Sequence, residues 1–178
     1  MRHTAKRDEV RPASAVSVAV TSRPHVAVIG AGTAEPRRDA VAEEVGRRLA
    51  EAGAVLVCGG RGGVMEASCR GAREAGGTTI GLLPGLDRRE GNPHLSVAIC
   101  TGMGHLRNAV VVSAADAVIA VGGEWGTLSE IGFAFRYGRP VIGLDTWELT
   151  PAAEMEEAVE LVATPAEAVA RALALAPS

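Results

Sequence analysis

Three glycine clusters follow three β-branched apolar runs, and each has the make-up of a loop that brings backbone N–H groups against an anion. They are Gly30-Ala31-Gly32-Thr33-Ala34-Glu35, Gly59-Gly60-Arg61-Gly62-Gly63-Val64-Met65-Glu66 and Gly122-Gly123-Glu124-Trp125-Gly126-Thr127-Leu128-Ser129-Glu130. Glycine lacks the Cβ that keeps a phosphate away from the chain, and a helix starting behind the loop adds the positive end of its dipole. The first cluster begins like a dinucleotide fingerprint but has Glu35 where the third glycine belongs. The second run ends in Cys58-Gly59-Gly60-Arg61 instead of an acid that could hold ribose hydroxyls, so NAD binding is disfavoured. The four glycines of the second cluster exceed what one tight turn needs, although close strand-to-helix packing is the alternative reading. The third cluster has Thr127 at the position expected for a helix cap. On neighbouring strands, the second and third loops would form one anion site.

Other chemistries lack their residues. Of 18 basic residues, 17 are Arg and one is Lys6, which leaves no lysine for a Walker A loop or a pyridoxal phosphate Schiff base in the patterned part of the chain. Cys58, Cys69 and Cys100 have no CxxC spacing and read as reduced core thiols of a cytoplasmic protein. His3, His25, His94 and His105 form no HxxxH or HxH pair, so no metal site is expected. The chain is expected to work without a bound cofactor. The aromatics, 3% of residues, all fall between Trp125 and Trp147, too few and too clustered for a base-stacking platform. A net charge of −3 also disfavours a nucleic-acid partner, and no apolar run is long enough for a membrane span.

The elements that must position the glycine loops follow from periodicity. Apolar runs at 26–30, 55–58, 78–83, 97–100, 117–121, 141–144 and a short 160–163 read as strands, most of them continuous as in a sheet covered on both faces. Segments of helical period fill 37–52, 63–75, 104–114, 127–137, 152–158 and 165–175, the last opened by Thr164 and Pro165. Alternating strands and helices predict one α/β domain over 24–178, a Rossmann-like doubly wound fold with a mainly parallel sheet of six or seven strands, behind a flexible N-terminal tail at 1–23. Such sheets bind ligands at the carboxyl ends of their strands.

GGRGGVMEASCRGA at 59–72, GMGHLRNA at 102–109 and GGEWGTLSE at 122–130 resemble the LOG-like proteins, once labelled lysine decarboxylases, and most closely their bacterial branch, which is similar to the molybdenum cofactor carrier protein. The resemblance spans roughly residues 25–176. It implies a Rossmann-like domain, usually a homodimer, in a family whose characterised members cleave the N-glycosidic bond of nucleoside 5′-monophosphates. Glu130 then falls on the last position of the PGGxGTxxE motif, where a carboxylate would stabilise an oxocarbenium-like ribose. Arg107 falls on the Arg of the MHxRK motif, a guanidinium able to grip phosphate or ligand. Backbone N–H groups from Gly122, Gly123 and Gly126, with Thr127, would hold the 5′-phosphate, and Gly60, Gly62 and Gly63 would line the other side. Trp125 is the expected lid, with Met65 and Asn108 nearby. The residues themselves keep a second reading open, because Thr127 to Glu130 is also a TxxE capping box.

The chain departs from the family pattern where Glu124 replaces a loop glycine, Asn108 a lysine and Ser129 a glutamate. These changes weigh against turnover more than against binding. The expected function is binding of a nucleotide-like small molecule with hydrolysis to free base and ribose 5-phosphate. The alternative is a non-catalytic carrier or sensor of a phosphorylated ligand. The helix at 127–137 carries Leu128, Ile131, Ala134 and Phe135 on one face with Phe133 and Tyr137 displaced from it. That surplus apolar surface makes a homo-oligomer the expected assembly, with burial in the same chain as the alternative reading.

Overall fold

The computed structural model describes residues 23–149 and 158–176. The tail up to residue 22 and most of the helix expected at 152–158 lie outside the described residues.

The apolar runs become seven strands: β1 (His25–Gly30), β2 (Val55–Cys58), β3 (Thr78–Leu83), β4 (Val97–Cys100), β5 (Ala117–Val121), β6 (Val141–Leu144) and β7 (Glu160–Leu161). Between them run α1 (Pro36–Glu51), α2 (Val64–Glu74), α3 (Arg107–Ser113), α4 (Trp125–Arg136) and α5 (Pro165–Leu175). All seven strands form one parallel sheet in the order β4-β3-β2-β1-β5-β6-β7. The fold is a single-sheet, Rossmann-like α/β structure.

The period of two along β1 assembles both halves of the core. Val26 and Val28 face the layer of α1, α2 and α5, where they meet Val45, Leu49 and Val169. Ala27 and Ile29 face the layer of α3 and α4, where they meet Val111, Val112 and Ile131. The helices α1 and α2 touch backbone to backbone, because an added methyl at Gly46 would collide with the Ser68 carbonyl and one at Gly71 with the Glu43 carbonyl. β4 departs from the expected burial. It is the last strand of the sheet, and its Val97 and Ile99 are exposed on one side.

Strand order corrects one expectation directly. β2 and β5 are not neighbours; β1 lies between them, paired with both. The chain winds outward from β1 to β4 and then crosses back to β5, so the loops after β1 and β5 diverge and open a crevice at the carboxyl end of the sheet. Gly30 and Val121 sit level across that opening. The start of α4 differs as well. Glu124 takes the N-cap, and its N–H donates to Thr127 Oγ1 at 3.3 Å. The helix thus begins two residues earlier than its expected start, with Thr127 inside its first turn. The α5 cap agrees with expectation: Thr164 Oγ1 accepts from the Glu167 N–H at 3.2 Å, and Glu167 Oε2 accepts from the Thr164 N–H at 3.2 Å.

Candidate functional site

A cavity of about 520 Å³ occupies the crevice. Its floor is the end of β1, with Val28, Ile29 and Gly30. One wall is the loop after β2, Gly59, Arg61 and Gly62, continued by Met65 and Glu66 in the first turn of α2. Across from it stand Gly126, Thr127 and Glu130 of α4, beside Arg107 and Asn108 of α3.

The wall at α2 suits an anion. Its N-cap is Gly63, which has no side chain to offer the first-turn N–H groups and makes no capping bond. The Val64 N–H is spent on the Ala31 carbonyl at 3.1 Å, while the N–H groups of Met65 and Glu66, with the helix dipole, stay available to a ligand. At α4 the arrangement is different. Glu124 stands at the cavity mouth and accepts a hydrogen bond from Thr33 Oγ1 at 2.8 Å, tying the loop after β5 to the loop after β1. A carboxylate there repels any phosphate approaching the α4 N-terminus.

Arg107 and Glu130 meet in the interior. Arg107 Nη1 donates to Glu130 Oε1 at 3.3 Å, and the two residues are only 9% and 6% exposed. This disposes of the capping reading for Glu130, since the α4 cap is made by Glu124 and Thr127 while Glu130 turns inward, one helical turn on. Burial pushes the Glu130 carboxyl from 4.5 up to about 7, only partly opposed by the Arg107 charge. Desolvation likewise lowers the Arg107 guanidinium. Removing both charges from water costs more than one long hydrogen bond returns, so the pair adds little to stability. The buried Nε of Arg107 has no partner among the described residues. Gly59 makes room for this side chain: a Cβ there would stand 2.5 Å from both terminal guanidinium nitrogens. Asn108 Nδ2 donates to Ser129 Oγ at 3.1 Å and so braces α3 against α4.

The structure thus brings together Arg107, Glu130, Gly62, Gly126, Thr127, Met65 and Asn108 around one cavity. Gly60, Gly63, Gly122, Gly123 and Trp125 stand outside its lining. Gly60, Gly63 and Gly122 turn the chain with φ of 76, 60 and 60°. Their glycine is needed for backbone geometry and not for a ligand's approach. Gly123 packs against the Trp147 indole. Trp125 is 78% exposed and lies against Trp147, ring centroids 5.6 Å apart. In this arrangement Trp125 covers its neighbour and not the cavity, and the two indoles are not independent fluorophores.

Sequence reasoning missed Gly30 and Gly32, which join the lining because β1 is the central strand. It also missed Glu66, Glu90 and Asn92. Asn92 clamps the loop after β2, its N–H donating to the Gly60 carbonyl at 2.9 Å and its Nδ2 to the Arg61 carbonyl at 3.1 Å. A polar residue shortly after β3 was the available signal, since that loop shares the carboxyl end of the sheet with the glycine clusters.

Known proteins are similar to this chain in sequence and in fold. An uncharacterized protein of Archaeoglobus fulgidus is 44% identical over 121 residues, 67% of this chain and 78% of its own. The structure of the molybdenum cofactor binding protein from Rippkaea orientalis superposes with a TM-score of 0.80 and 34% identity, covering 86% of this chain and 98% of that one. The molybdenum cofactor carrier protein of Chlamydomonas reinhardtii is similar at a TM-score of 0.77 and 34% identity, with the same coverage. The model of the SLOG cluster4 family matches residues 23–171, a span that contains every residue lining the cavity. By that match, the chain belongs to the SLOG cluster4 family.

Proposed function

We propose that the chain binds and carries, without turning it over, a phosphorylated heterocyclic ligand of the molybdenum cofactor kind. One observation carries the reading: a preformed cavity built on the buried Arg107–Glu130 pair, in a chain 34% identical over 86% of its length to structures of molybdenum cofactor binding and carrier proteins. The cavity offers two kinds of contact. The uncapped N-terminus of α2 and the glycine loop before it supply N–H donors for a phosphoryl group. Glu66 and Glu130 supply acceptors for the N–H edge of a pterin or purine ring.

The hydrolytic reading draws on a different observation. A carboxyl held near 7 beside an arginine suits general acid–base work at neutral pH. Against it stands Glu124, whose charge opposes a phosphate at the α4 N-terminus. The test is incubation of purified protein with a panel of nucleoside 5′-monophosphates and with the molybdenum cofactor. Carriage is supported by a raised melting temperature with the cofactor and no free base from any nucleotide. Base release that Glu130→Ala abolishes would establish the hydrolase instead.

We further propose a cytoplasmic homo-oligomer that does not engage nucleic acid or membrane. The free thiols Cys58, Cys69 and Cys100 support the compartment. Exposed Leu86 and Leu106 supply apolar surface for a second copy. Among the described residues no helix is long and apolar enough to cross a membrane.

A further inference from the structure

The cavity does not end at Arg107. A second hollow of about 400 Å³ adjoins it, walled by Pro84 and Gly85 after β3 and by Gly104 and His105 before α3. Arg61, Glu90, His105 and Arg107 line both spaces, so the two are lobes of one crevice.

The lobes differ in charge. Glu66, Glu124 and Glu130 belong to the first alone. In the second, Glu90 is the single acid among the described residues, against Arg61, Arg107 and the donor-bearing ring of His105. Arg61 Nη2 is held by Glu90 Oε2 at 2.5 Å, which fixes one guanidinium on the wall. Its Nε and Nη1 make no hydrogen bond among the described residues. Arg107 is nine-tenths buried, spends one nitrogen on Glu130 and has its Nε without a partner among the described residues. The nearby Arg61 charge adds to the desolvation that lowers the Arg107 guanidinium, so the two cations feel each other. Each guanidinium already has a carboxylate partner, Arg61 in Glu90 and Arg107 in Glu130, but both line one hollow with N–H groups to spare, and a guanidinium is well matched to phosphoryl oxygens.

We infer that the second lobe is an anion subsite, and that the crevice takes a ligand with two linked phosphoryl groups, one at the α2 glycine loop and one between Arg61 and Arg107. The inference rests on the phosphorylated-ligand reading above and extends it from a monophosphate to a pyrophosphate-containing or dinucleotide-type compound. Glu90 acts here as a positioning residue that orients Arg61 and, by its charge, limits how tightly the second phosphoryl group is held.

Calorimetric titration of the full chain tests this, with inorganic phosphate against pyrophosphate and AMP against ADP, at constant ionic strength and without divalent cations. The expected result is at least tenfold tighter binding of each diphosphate than of its monophosphate. Arg61→Gln should bring the ADP-to-AMP affinity ratio close to one, and Glu90→Gln should raise it above the wild-type ratio. Opposite movements of the ratio are not the signature of misfolding. Equal affinity for AMP and ADP in the wild type, or a ratio that survives Arg61→Gln, overturns the subsite while leaving the phosphorylated-ligand reading intact. If none of the four compounds binds, that reading falls with it.

Discussion

Replacing Glu130 with Gln is expected to stabilise the protein above neutral pH and to change it little in acid. In the folded chain burial holds the Glu130 carboxyl near 7, against an ordinary 4.5. Between those values the folded state keeps a proton that the unfolded chain has released. Stability therefore falls as pH rises from 4.5 through about 7, and the full penalty is present above that range. The difference corresponds to about 3 kcal/mol, or roughly 6–12 °C in melting temperature for a domain of this size. Gln reproduces the shape and neutrality of the protonated acid and keeps an oxygen for Arg107 Nη1. The opposing effect is the loss of a partner for the buried Arg107 charge. The existing contact is a single bond of 3.3 Å, long for a charge-assisted pair, so desolvation of the carboxylate should outweigh it. Urea unfolding of wild type and Glu130→Gln at about pH 5 and about pH 8 decides the matter. A variant less stable than wild type at the higher pH would show that the Arg107 attraction dominates, and the assignment of Glu130 as a destabilising, function-serving carboxyl would be wrong.

Gly59→Ala puts a methyl group where the Arg107 guanidinium lies; ligand affinity should fall at least tenfold while the far-UV spectrum is retained, and unchanged affinity would remove Arg107 from the site. Glu124→Gly deletes the carboxylate that faces Thr33 at the cavity mouth; phosphate affinity should rise by about fivefold, the equivalent of about 1 kcal/mol of charge repulsion, as read by titration at low salt. Trp125→Phe should leave ligand affinity within twofold, because the indole rests on Trp147 outside the cavity; a large loss would make it the lid that the sequence suggested.

The strands were readable from their β-branched runs because burial on both faces leaves little room for polar residues, as in Val55–Cys58 and Ala117–Val121. β4 kept its place as a strand but not its burial, since nothing local marks Val97 as belonging to an edge. Strand order was the larger gap. No residue of β1 signals that the chain will return to pair beside it, and without that return Gly30 and Gly32 look like a failed dinucleotide motif instead of the floor and mouth of a cavity. The α4 start was misjudged because Glu124 and Thr127 are both able to cap, and only the backbone shows that Glu124 stands first. Arg107 and Glu130 were marked by motif resemblance, while their mutual contact depends on α3 and α4 packing on one face of the sheet.

Carriage of a phosphorylated ligand at the Arg107 cavity is tested most directly by native mass spectrometry of the protein isolated from cells that make the molybdenum cofactor. The expected spectrum shows wild-type protein with a bound mass belonging to a phosphorylated pterin, released intact on denaturation and lost in Arg107→Ala. Bare wild-type protein, or a bound mass unaffected by Arg107→Ala, would contradict it.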